Sequence, residues 1–228
     1  MSAQGPPQNR LLAMLPPEDF DRLSRRMERV TLPLKAVVVE PREPIRHAYF
    51  PLTNVLSSII VLADGTTIES ATIGNEGMSG VGLLVGELAG PYRVIQQVEG
   101  ESLRVPVADF RETLSESLAL RQLVERYTLT LLQQSSQNAA CGLSHSVEER
   151  MCRWLLMCAD RAGRDEFAIT QEFLSQMLGV RRQAVNITAG LLEHAGLIAQ
   201  RRGHIAVKDR AGLEASACEC YRAAKEMY

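Results

Sequence analysis

The first 140 residues contain no cysteine, and the five present, Cys141, Cys152, Cys158, Cys218 and Cys220, are odd in number and lack C-x-x-C spacing. An exported disulfide framework is therefore not expected. The pair in "CEC" could hold a metal or sense oxidants, but it lacks the second pair of ligands that a structural zinc site needs. Ordinary reduced thiols and no metal site are the expectation. No apolar run approaches the roughly 20 residues that cross a bilayer. The opening "MSAQGPPQNRLLAMLPPEDF" has one basic residue and no long apolar block, unlike a signal peptide. A cytoplasmic protein that does not engage membranes is expected. No G-x-S-x-G, H-E-x-x-H or P-loop occurs, and the four histidines are dispersed, so no enzyme is expected. Neither sign of charge dominates, with 25 Lys and Arg against 27 Asp and Glu. Any basic partner-binding face must therefore be local.

What the chain does contain changes character twice along its 228 residues. From about Arg29 to Val107 it is rich in β-branched residues broken by turn formers. "KAVVVEP", "VLSSIIVLADGTTIESATI", "YRVIQQVEG" and "SLRVPV" read as strands. Asp64-Gly65 in "ADGT" predicts a tight hairpin of type I′, and Pro41 and Pro44 bracket another turn. Many short strands of this kind predict an antiparallel β-roll or jelly roll.

Near Asp109 the pattern becomes helical. Leu120, Val124, Tyr127, Leu131, Gln134, Asn138 and Cys141 recur at alternating spacings of four and three, a heptad seam that is apolar first and polar later. A dimerisation helix is the preferred reading, and a helix laid on its own domain is the alternative. "SVEER" then carries a capping box, Ser146 with Glu149, and starts another helix. The expected division is a β-roll over 1–117, a dimerisation helix and hinge over 118–145, and a small C-terminal domain over 146–228. The fold class is α+β.

That last domain has an ordered grammar in "AITQEFLSQMLGVRRQAVNITAGLLEHAGLIAQRRGHIAV". Thr170 caps a short helix whose inward face is Phe173, Leu174 and Met177. Gly179 supplies a turn, and a second helix points Val185, Leu191 and Leu192 inward. Its other face presents Arg181, Arg182, Gln183 and Asn186. These are residue types that read base edges in the major groove, and a helix-turn-helix presents this end of its second helix there. Arg201, Arg202 and His204 lie in a basic hairpin suited to phosphate contact. Five Lys and Arg against one acid, Glu193, fall between Val180 and Lys208. The order of helix, turn, basic helix and basic hairpin predicts a winged helix on double-stranded DNA. A ligand-binding module whose helical tail serves a protein partner is the alternative.

In these segments the chain resembles the Crp/Fnr family of bacterial transcription regulators, most specifically over 169–207. The resemblance implies a homodimer on a near-palindromic operator. It places Thr170 and Gln171 at phosphate contacts, Arg202 and His204 in the wing, and a guanine contact on Arg182. The family's Arg-Glu pair and later Arg fall here on Arg182, Gln183 and Ile187, so the operator sequence does not carry over. Activating members touch RNA polymerase near "DRAGRDEF", which makes the polymerase a candidate partner.

The cyclic-AMP members grip the ribose with a Gly-Glu-Leu loop and the phosphate with an Arg-Ser pair. Here Gly80 precedes Val81 and Arg93 precedes Val94, while Ser135 and Ser136 fall where the family presents hydroxyls to adenine. Glu76, or Glu87 after Gly86, could reach the ribose only at altered spacing. The effector candidates are thus Glu76, Gly80, Arg93, Ser135 and Ser136, but their pattern does not support cyclic AMP as the ligand. An iron–sulfur cluster of the family's kind needs N-terminal cysteines, which are absent. His47, Cys141 and His145 are the residues a haem would draw on, each read as structural.

Overall fold

The computed structural model describes residues 8–227. Two short helices, α1 (Arg10–Ala13) and α2 (Pro17–Ser24), lead into an antiparallel β-roll. One sheet holds β1 (Glu28–Leu32), β7 (Gly100–Pro106) and β3 (His47–Pro51) in that spatial order. The other runs β2 (Val37–Val39), β6 (Arg93–Val98), β4 (Val55–Val61) and β5 (Thr67–Ile73). A short 3-10 turn, Val81–Val85, sits between β5 and β6.

The β4–β5 hairpin forms where Asp-Gly predicted it, but not as a type I′ turn. Only Gly65 of the pair takes positive φ, at 84°. Gly65 N–H donates to the Leu62 carbonyl at 3.0 Å, and Leu62 N–H to the Thr66 carbonyl at 2.8 Å. This is the three-residue loop that ends on a left-handed glycine. Asp64 accepts a further bond from the Thr66 N–H, which favours a type I turn in place of the mirror turn.

Helix α3 (Val107–Glu116) breaks at Ser117, whose extended backbone and side-chain bond to the Leu120 N–H start α4 (Leu118–Ser144). The capping box at Ser146 and Glu149 opens α5 (Val147–Ala162), and Gly163 closes it at φ 65°. Then come β8 (Glu166–Ala168), α6 (Gln171–Leu178), α7 (Arg182–His194), β9 (Ile198–Arg201), β10 (His204–Val207), α8 (Arg210–Ser216) and α9 (Cys220–Glu226). The α+β expectation, with a β-rich N-terminal part and a C-terminal helix-turn-helix, is met. No described helix is long and apolar enough to cross a membrane.

Two cores hold these parts. One fills the roll and includes Phe50, Met78, Phe110 and the first turns of α4. The other joins the C-terminal helices to the outer face of the four-stranded sheet, through Val55, Ile59, Ile95 and Val98. Strands β4 and β6 are therefore covered on both faces, which explains their near-continuous apolar runs.

Polar links cross the same contact. Trp154 Nε1 donates to Glu69 at 3.0 Å, Ser57 donates to the other carboxylate oxygen, and Arg161 pairs with Glu76 at 2.8 Å, all buried. Burial pushes the Glu69 carboxyl above the usual range despite these donors and the favourable charge of Arg153. The folded chain therefore binds the Glu69 proton more tightly than the unfolded chain. Stability falls as pH rises from the ordinary carboxylate value toward the raised one. Glu69→Gln should flatten that slope, because an amide can accept from Trp154 and donate to the Ser57 hydroxyl. Urea midpoints of both proteins between about pH 5 and 8 check this.

Candidate nucleic-acid interface

The interface is built on a rigid frame. Phe173, Leu174 and Met177 of α6 and Val185, Thr188, Ala189 and Leu192 of α7 are buried, which fixes the two helices against α5. Gly179 takes φ 62° and ends α6, and Arg150 of α5 donates to the Leu178 carbonyl there. Three residues, 179–181, then turn the chain into α7. Leu191 does not point inward as expected and is 56% exposed. Thr188, Ala189 and Leu192, three, four and seven residues after Val185, form the buried face instead.

Arg181, Arg182, Gln183, Asn186 and Ile187 are all exposed on α7 or its cap. Arg181 is the N-cap and makes no side-chain capping bond. The first N–H groups of α7 are thus left for an anion, which the helix dipole also favours. The wing forms as predicted: β10 pairs antiparallel with β9 and β8, Arg202 and Gly203 make the tip, and Gly203 takes φ 76°. Arg201, Arg202 and His204 are exposed. The single acid, Glu193, is occupied in holding the Gln200 N–H at 2.7 Å, so it braces β9 on α7.

Thr170, Arg182, Arg201, Arg202 and His204 line one cleft of about 740 Å³ between α6, α7 and the wing, together with Gln171. Thr170 accepts from the Phe173 N–H at 3.1 Å, which leaves its hydroxyl proton free to donate. Gln171 contacts Gln200 at 3.2 Å. Gln183 and Asn186 stand on the exposed face of α7, outside that lining. One cleft residue was not legible in the sequence. Lys35, in the turn before β2, comes from the roll and also lies over the Phe173 ring at 5.7 Å. Nothing local marks it, since only the packing of the roll on the C-terminal part brings it there.

A family profile for the Crp-like helix-turn-helix domain matches residues 149–216. Among solved structures, FixK2 from Bradyrhizobium japonicum superposes with a TM-score of 0.69 at 15% identity, covering 84% of this chain and 98% of that one. A CRP-family transcriptional regulator from Thermus thermophilus gives 0.69 at 19%, covering 83% and 96%. This is the fold of the Crp/Fnr transcription regulators. The c-di-GMP-responsive regulator CLP of Xanthomonas campestris is also similar, at TM-score 0.66 and 15% identity over 83% of this chain and 98% of its own. No curated protein matches. The Crp-like domain thus carries the arginine face described above.

The candidates for a Crp-type effector pocket are not gathered in one place. Glu76 is buried and committed to Arg161. Arg93 Nε pairs with Glu40 at 2.8 Å, and Gly80 caps the 3-10 turn at φ 88°. Ser136 is exposed and bonds back to the Leu132 carbonyl. Ser135 faces a cavity of about 390 Å³ at the hinge, beside Arg150, Arg153 and Trp154, while Glu76 lines a separate one of about 300 Å³ with Arg161 and Asp160.

The expected dimer seam needs correction. Leu120, Val124 and Tyr127 are buried in the roll's own core, and Leu131 packs against it. Gln134 exchanges bonds with the Thr72 N–H and carbonyl at 2.8 and 3.2 Å, and Asn138 donates to the Ser70 carbonyl at 3.0 Å. Strand β5 is a sheet edge whose backbone groups need partners. The polar half of the stripe supplies them, which is why it is polar. The opposite stripe of α4 is the open one, with Leu129 61%, Leu132 63% and Leu143 91% exposed.

Proposed function

We propose that this Crp/Fnr-type regulator is a homodimer that reads a near-palindromic operator. The proposed parts are a sensor over 1–117, a dimerising helix with hinge over 118–145, and a DNA reader over 146–228. The observation that carries the reading is the exposed set Arg181, Arg182, Gln183 and Asn186 beside a cleft shared with Arg201, Arg202 and His204. In this reading Arg182 pairs with guanine, Gln183 and Asn186 read neighbouring bases, and Thr170, Gln171, Arg181 and the wing hold phosphates.

Dimerisation runs through the exposed stripe Leu129, Leu132, Ala139 and Leu143. These residues recur at heptad-like spacing at exposed positions of α4. The sensor responds to something other than cyclic AMP. Glu76 and Arg93 are held by Arg161 and Glu40, which supports this. Any effector must bind one orientation of the readers better than the other, or it shifts nothing.

Salt dependence of binding to non-specific duplex tests the reading. The double substitution Arg201→Ala and Arg202→Ala should lower the slope of log K against log salt by about two, since each phosphate contact releases about one counterion. An unchanged slope would remove the wing from the interface.

A further inference from the structure

The "CEC" pair lacked second ligands in the sequence, and the fold brings them. Cys141 lies in the last turn of α4, and His145 follows four residues on, so both sit on one side of that helix end. Cys218 and Cys220 bracket Glu219 at the start of α9. The three sulfurs are buried, and these three Sγ atoms and a His145 ring nitrogen all lie within 4.8 Å of one another. Cys141 Sγ is 3.6 Å from Cys218 Sγ, and Cys220 Sγ is 3.7 Å from His145 Nδ1. Around a tetrahedral ion with metal–sulfur and metal–nitrogen bonds of zinc length, sulfurs stand about 3.8 Å apart and sulfur and nitrogen about 3.6 Å.

We propose that Cys141, His145, Cys218 and Cys220 form a Cys3His site for one zinc-class ion. The surroundings fit that role. His145 Nε2 lies 3.1 Å from the Glu219 carboxylate, while the other ring nitrogen, Nδ1, lies beside Cys220 Sγ, the arrangement a ligating histidine with a carboxylate behind it takes. Gln137 donates its amide N–H to Cys220 Sγ at 3.0 Å, a bond that stabilises a thiolate. A divalent ion takes the place of the thiol protons, which leave to solvent as it binds. A Cys141–Cys218 disulfide would use two of the four groups and leave Cys220 and His145 unexplained.

Four protein ligands complete a tetrahedron, so the site is structural and has no open position for chemistry. Its place gives it a purpose. Cys141 belongs to α4 and Cys218 and Cys220 to the far end of the Crp-like domain, with the α4–α5 junction between them. The ion would clasp the reader to the long helix across its own hinge.

The test is elemental analysis of the full chain, purified under reducing conditions without a metal-affinity step, followed by cobalt substitution. The expected result is about one zinc per chain and an intense tetrahedral thiolate–cobalt spectrum. The double substitution Cys218→Ser and Cys220→Ser should retain far-UV circular dichroism and bind no zinc. Should that variant fail to fold, the cobalt spectrum of the unaltered chain still decides. Less than a tenth of an equivalent of zinc after reconstitution, a weak octahedral cobalt spectrum, bound iron with sulfide, or a Cys141–Cys218 disulfide in the reduced preparation would each overturn the proposal.

Discussion

Arg182→Ala lowers affinity for the operator by about tenfold per half-site, and so by about a hundredfold for a dimer engaging both. A bidentate arginine–guanine contact discriminates by about 1–3 kcal/mol, and the tenfold figure sits in that range. Arg182 opens α7, is exposed, and lines the cleft with the wing, so its loss leaves packing intact. Thermal unfolding should therefore be unchanged. Arg111→Ala, on α3 of the roll and also exposed, serves as the charge-matched control and should leave binding unaltered. Fluorescence anisotropy at fixed salt checks all three proteins. Equal weakening on operator and random duplex would instead make Arg182 a phosphate contact.

The second large effect concerns α4. Leu132→Glu should give a folded monomer whose operator affinity falls about 10²-fold or more, because linking two readers raises avidity by about 10²–10⁴. Leu132 is 63% exposed in the single chain, so a carboxylate there costs the monomer little and the dimer much. Val124→Glu separates the two faces of the helix. Val124 is fully buried in the roll, and a charge there should prevent folding. Analytical ultracentrifugation and circular dichroism read both outcomes. A dimeric Leu132→Glu protein would move the interface elsewhere.

The behaviour of α4 shows where sequence reasoning stops. Two stripes of that helix repeat at heptad spacing. Leu120, Val124 and Tyr127 are as good a seam as Leu129, Leu132 and Leu143 until the roll is in place. Gln134 and Asn138 read as polar interruptions of a dimer seam, yet they complete the free edge of β5. Local chemistry was legible where the signal is local: the Asp-Gly hairpin, the Ser146–Glu149 capping box, the Gly179 turn and the basic wing. Long-range placement was not. Lys35 reaches the cleft only because the roll packs on α6, and Cys141 meets Cys218 across 77 residues of chain. The sequence-based expectation of no metal site weighed only ligands spaced near the "CEC" pair, and Cys141 and His145 come beside that pair only in the fold.

The effector side shows the same limit. Arg93 falls near the family's phosphate position and Glu76 reaches the ribose only at altered spacing, but the sequence does not reveal that Glu40 and Arg161 already hold them. A ligand at either position would have to displace an ion pair, and the one with Glu76 is buried. Breaking such a pair by removing one partner costs about 3–5 kcal/mol, which a competing ligand would have to exceed.

Selection from random duplex DNA by the purified protein, with and without cyclic AMP, tests the central claim most directly. The account predicts one sequence family, twofold symmetric, with half-site centres about 10–10.5 base pairs apart or a multiple of that, recovered equally in both conditions and lost with Arg182→Ala. Failure of the folded dimer to enrich any sequence in either condition, or recovery of the same sequences by Arg182→Ala, would contradict it.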